Sequence, residues 1–142
     1  AFAEKGLEAR ALDISEVGLH LLELQAKRQG LAVSTQLEDL SNISIPEQSF
    51  DVLSCSYYLD RMVLQMMADS LRPRGLLYYE TFNASLPRGR GPSNPDFLLQ
   101  QGELLRCFGG LELLFYEELW GLTDDQGDTG VTRLIARRPS GV

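Results

Sequence analysis

Carboxylates and hydroxyls close several short apolar runs of this chain, where an α/β protein would use them. Asp13 ends the run Leu7–Ile14, Glu38 and Asp39 follow Leu31–Gln36, and Ser54 to Asp60 leave Phe50–Cys55. One carboxylate accepts hydrogen bonds from both hydroxyls of a ribose, so an acid at a strand tip is suited to holding a nucleotide. Aspartate after a strand is also a common turn former and helix cap. Asp60, Tyr79 and Glu80 are the candidates for base chemistry, each with a competing structural role: Asp60 as a cap, the other two as strand residues. Arg88 and Arg90, in a loop, carry the charge to attract an oxyanion or simply form a solvated basic turn.

Other chemistries lack their residues. The single histidine, His20, shares a helix face with Glu16, Glu23 and Lys27, opposite an apolar stripe of Val17, Leu21 and Leu24. It reads as a surface residue. Cys55 and Cys107 have no C-x-x-C spacing and read as small core hydrophobes. A Cys/His zinc site is thereby excluded, and a Ser-His-Asp hydrolase would need His20 without any G-x-S-x-G. Asp124, Asp125 and Asp128 do not match a calcium-loop spacing and read as a solvated turn, so no metal is expected.

The elements that must position these groups follow from periodicity. Ser49 to Phe82 reads as strand, helix, strand: Phe50–Cys55, then Arg61–Leu71 with apolar Val63, Leu64, Met67, Ala68 and Leu71, then Leu76–Phe82 after Pro73 and Gly75. A strand returning through a helix implies a parallel crossover. Ahead of it, AFAEKG reads as the end of a helix, Leu7–Ile14 as a strand, Glu16–Gln29 as a helix capped by Ser15, and Leu31–Gln36 as a strand. Behind it, Asn83–Asp96 holds three prolines and two glycines and reads as a long loop of the kind that serves as a lid or binding loop. Leu98–Phe108 resumes helical spacing, and Leu111–Glu118 and Val131–Arg137 read as antiparallel neighbours. The order predicts an α/β fold, a doubly wound, mostly parallel sheet closed by an antiparallel C-terminal hairpin.

The 142 residues suit a single domain. Thirteen Lys and Arg against 20 Asp and Glu give a net charge of −7, which repels phosphate backbones, so nucleic acid is not an expected partner. Without an apolar run of about 20 residues, no membrane partner is expected and a cytoplasmic location is; an oligomer is compatible with the sequence.

AEKGLEARALDISEVGL, QLEDL, FDVLSCSYYLDR, LRPRGLLYYETFN and GPSNPDFLL, in this order, resemble successive motifs of class I S-adenosylmethionine-dependent methyltransferases, nearest to the TehB-like, tellurite-resistance branch. The resemblance implies a Rossmann-like sheet and S-adenosyl-L-methionine as cofactor. It implies Asp13 on the ribose with Ile14 beside the adenine, Asp39 near the adenine amino group with Leu40 packing on the ring, and Cys55, Ser56 and Tyr57 at the methionine end. The reaction implied is methyl transfer to a small-molecule acceptor, without an assigned catalytic residue. The family's glycine-rich turn, which by analogy precedes the ribose acid by about 20 residues, has no counterpart. The chain is therefore expected to be an N-terminally incomplete domain that starts within the first helix and lacks the first strand. Two alternatives are a truncated, non-catalytic interaction domain and a nicotinamide-dependent oxidoreductase; the latter is opposed by Tyr57 and Tyr58, which have no lysine four residues on.

Overall fold

A computed structural model describes residues 2–141. The chain divides into two compact units, Ala1–Ile43 and Ser44–Val142.

The first unit is one strand–helix–strand turn. Strand β1 (Ala9–Asp13) and strand β2 (Val33–Leu37) pair in parallel, from Ala9 opposite Val33 to Asp13 opposite Leu37. Helix α1 (Glu16–Arg28) crosses between them. Its start is set by Ser15, whose side chain accepts the Gly18 amide at 3.0 Å. The expected apolar stripe does not face the sheet. Val17 and Leu21 are 71% and 61% exposed, whereas Leu19 and Ala26 are buried and Leu22 half-buried. Two apolar stripes run along this helix, and a two-stranded sheet covers only one of them. His20 is exposed, as its neighbours predict.

The second unit is a four-stranded sheet in the order β3-β4-β6-β5. Strand β3 (Phe50–Ser56) leads through helix α2 (Arg61–Asp69) to the parallel strand β4 (Leu71–Phe82); helix α3 (Glu103–Cys107) precedes the antiparallel pair β5 (Glu112–Glu118) and β6 (Val131–Arg137). β6 lies between β5 and β4 and is antiparallel to both. The fold is α/β with parallel and antiparallel pairings and a closing hairpin. One face of the sheet is covered: Val63, Leu64, Met67, Leu77, Tyr79, Leu104, Leu134 and Ala136 are all buried.

Two boundaries differ from the sequence reading. β4 begins at Leu71 rather than after Gly75, because Phe50 opposes Leu71 and Val52 opposes Leu76. Pro73, Arg74 and Gly75 are thus an outward bulge of the strand, with Arg74 at φ 69°, and the Arg138 guanidinium donates to the Asp69 and Leu71 carbonyls beside it. Residues 98–102 are not helical, because the end of β4 claims their backbone: the Leu99 amide donates to Phe82 O at 3.0 Å and its carbonyl accepts from Ala84 at 2.8 Å.

Candidate functional site

In the first unit, Asp13 is the last residue of β1 and is exposed. Its Oδ1 accepts the Ser15 amide at 3.1 Å, and Oδ2 has no hydrogen-bond partner among the described residues. Ile14, beside it, is 69% exposed. The Glu38 amide donates to the Asp13 carbonyl at 3.0 Å, which keeps the exits of both strands together. Asp39 follows as the cap of a short turn, its Oδ1 accepting from the Ser41 hydroxyl at 2.6 Å and the Ser41 amide at 3.0 Å. Those Ser41 bonds, hydroxyl first, hold the Asp39 carboxyl below the usual range. Asp13, Ile14, Asp39 and half-buried Leu40 therefore lie at one end of the β1–β2 pair. An exposed carboxylate with an unoccupied oxygen supplies the acceptor that a ribose diol requires, and the exposed apolar surface beside it suits the face of an adenine ring.

In the second unit, Cys55, Ser56 and Tyr57 leave β3 in succession. Cys55 and Ser56 border a cavity of about 190 Å³ together with Ser54, Glu80, Phe115 and Arg133. Burial pushes the Cys55 thiol up to about 11, so it is a neutral lining group. Tyr57 turns out of the strand at φ 55°, a left-handed conformation uncommon for a non-glycine residue. Its amide donates to Glu80 O at 2.8 Å, and its ring lies 4.8 Å from that of Phe82, tilted by 39°.

The three base candidates are all engaged in the fold. Asp60 caps α2, accepting the Met62 amide at 3.0 Å. Tyr79 is buried, donates its hydroxyl to Tyr58 O, and is pushed well above the usual phenol range by that burial. Glu80 pairs with Arg133 at 3.2 Å.

Arg133 is the residue that the sequence reading missed. Its guanidinium donates to Glu80 and Asp124 at 3.2 Å, Glu117 at 2.6 Å and Asp128 at 2.5 Å, with its side chain 23% exposed. Glu80 and Glu117 are its in-register partners on β4 and β5. Asp124 and Asp128, expected as a solvated turn, are thus tied back to the sheet. The one available signal was a charge at the centre of the apolar run Val131–Ala136. Among the described residues no cluster suited to a metal ion is present.

The long proline-rich loop is anchored at both ends. Buried Asn83 donates to Thr132 Oγ1 at 3.2 Å and accepts from the Ser85 amide and hydroxyl at 3.0 and 2.6 Å. At the far end Arg61 donates to the Asp96 and Leu98 carbonyls, both at 2.9 Å, and pairs with Glu103 at 2.5 Å. Arg88 and Arg90 lie on the exposed stretch between.

The profile of the family described as "Methyltransferase domain" matches residues 1–79. The chain belongs to that family. Within it, the chain is 27% identical over 93 residues to a ubiquinone biosynthesis O-methyltransferase of Histophilus somni, an alignment covering 58% of this chain and 39% of that protein. The chain thus spans about two fifths of the curated relatives it matches. Its fold resembles the crystal structure of TehB from Haemophilus influenzae, with TM-score 0.74 at 18% identity over 96% of this chain and 51% of that one. It also resembles a SAM-dependent methyltransferase from Methanosarcina mazei, with TM-score 0.67 at 19% identity over 96% of this chain and 84% of that one. No helix among the described residues is long and apolar enough to cross a membrane.

Proposed function

We propose that this chain is a single methyltransferase-type domain, of the TehB-like kind, that binds S-adenosyl-L-methionine and serves methyl transfer to a small-molecule acceptor in the cytoplasm. The observation that carries the proposal is Asp13: a strand-terminal carboxylate, held by one oxygen on the Ser15 amide and open at the other, next to exposed Ile14, in a chain that belongs to the methyltransferase family. Asp13 holds the ribose diol and Ile14 flanks the adenine. Asp39, kept ionised by Ser41, accepts from the adenine amino group, with Leu40 against the ring. Cys55, Ser56 and Tyr57 line the methionine end. The cofactor supplies an electrophilic methyl group, whose transfer depends mainly on alignment, worth on the order of 7–11 kcal/mol in favourable systems. That requirement accords with a site where Asp60, Tyr79 and Glu80 are all committed to other bonds. The charge of −7 supports a small acceptor over a nucleic acid.

Calorimetric titration with S-adenosylhomocysteine tests the proposal. The 142-residue chain should release heat on binding, and Asp13→Ala should weaken affinity about tenfold, a loss of roughly 1.4 kcal/mol. Absence of heat with the unsubstituted chain refutes it, as does an Asp13→Ala variant that binds unchanged.

A further inference from the structure

The second unit carries an aromatic pair and a charge arrangement at the exit of β3 that bear on the acceptor. The rings of Tyr57 and Phe82 sit 4.8 Å apart, and Tyr57 is 49% exposed, its backbone turned out of the strand at φ 55°. A partly exposed aromatic face attracts cations through its quadrupole. Burial first, then the negative field of Glu80 and Asp128, raise the affinity of the Tyr57 phenol for its proton, while Arg133 lowers it, and the net direction is upward.

Arg133 opposes that field, and four of its five N–H donors are committed to carboxylates. Nε serves Glu80, Nη1 serves Glu117 and Asp124, and Nη2 serves Asp128. Four carboxylates on one guanidinium leave a surplus of three negative charges. An anionic acceptor beside Tyr57 would meet that surplus with no guanidinium edge of Arg133 free for a bidentate pair. Arg88 and Arg90 lie on the exposed part of their loop, as a solvated basic turn would.

Given the methyl-transfer function proposed above, on which this depends, we infer that the acceptor is an amine whose cationic form is held on the face of Tyr57 and Phe82, with Arg133 as the specificity-determining residue that gathers Glu80 and Asp128 beside them. The amine reacts after losing its proton to solvent. Its nitrogen lone pair forms the new nitrogen–carbon bond, the donor's sulfur–carbon bond breaks with its electron pair left on sulfur, and the resulting ammonium sheds a proton to solvent to leave a secondary or tertiary amine. A fixed general base is unnecessary if the amine titrates near working pH.

Binding of three probes of one shape tests this: benzyltrimethylammonium, benzylamine and benzoate, by calorimetry with and without saturating S-adenosylhomocysteine. Both cations should bind at least tenfold more tightly than benzoate, and affinity should fall as salt rises. Tyr57→Ala should lose at least tenfold for benzyltrimethylammonium while Tyr57→Phe, which keeps the ring, stays within twofold. Glu80→Gln and Asp128→Asn, which each remove one negative charge from that field, should narrow the preference over benzoate; thermal melts of each variant identify any that fail to fold, and for those the Tyr57 pair decides. Benzoate binding as tightly as the cations, or Tyr57→Ala binding unchanged, overturns the inference. Because the cation arms are also run alone, failure to bind S-adenosylhomocysteine is seen separately and falls on the methyl-transfer function.

Discussion

The two strand–helix–strand turns, β1–α1–β2 and β3–α2–β4, share a topology and differ in what they bury. Among the described residues of the first, Leu19 and Ala26 are buried, while Val17, Leu21 and Leu24 are 71, 61 and 42% exposed. The second buries Val63, Leu64 and Met67 on its helix and Leu71, Leu77 and Tyr79 on its strand. The difference lies in what flanks the strands. β4 has β3 on one side and β6 on the other and packs against α2, whereas among the described residues β1 and β2 pair only with each other. Local spacing is enough to specify a crossover, but a core requires further layers.

Core truncation should separate the turns most. Leu77→Ala, at a fully buried position, should cost about 2–5 kcal/mol in urea denaturation. Leu21→Ala, at 61% exposure, should stay within about 0.5 kcal/mol; equal losses would mean that the exposed stripe of α1 is covered in solution.

Glycines give the next contrast. A Cβ on Gly130, at φ +62°, would lie 2.5 Å from the Leu86 Cα, whereas one on Gly30, at φ +68°, would meet nothing within 4 Å. Gly30→Ala should cost only the left-handed penalty, about 1–2 kcal/mol. Gly130→Ala should lose clearly more by the same measurement, since two backbone segments must separate as well.

The ion pairs of the second unit predict a smaller, pH-dependent effect. Arg61 holds the Glu103 carboxyl below its usual range. A carboxyl depressed in the folded state stabilises fully above its unfolded value, about 4.3, and that contribution fades as pH falls through the lower folded value. Glu103→Gln should therefore flatten the acid limb of stability between about pH 5 and 3, measured by thermal melts.

Most of the framework was legible in the chain. Val131–Arg137 was bounded as observed, Asp13, Ser15 and Asp60 occupied the tip and caps that their types imply, and the hairpin was antiparallel. What failed depended on distant partners. The face that α1 buries is chosen by the strands beneath it, because apolar residues lie on both of its sides. Pro73 reads as a stop, yet a bulge lets β4 start two residues earlier and carry it. Arg133 draws partners 5, 9, 16 and 53 residues away, so no window of sequence displays them together. The proposal of Cys55, Ser56 and Tyr57 for the methionine end came from family likeness rather than spacing, since Ser56 and Tyr57 look like any polar strand exit.

β5 ends the four-stranded sheet, and Leu113, Leu114 and Phe115 along it are 52, 49 and 45% exposed. An open, oily border of this kind invites other chains to add strands and grow fibrils. The slipped register between Leu113 and Phe115 kinks that border, and Glu112, Glu117 and Glu118 put like charges at both of its ends. Self-association through this margin is thereby discouraged.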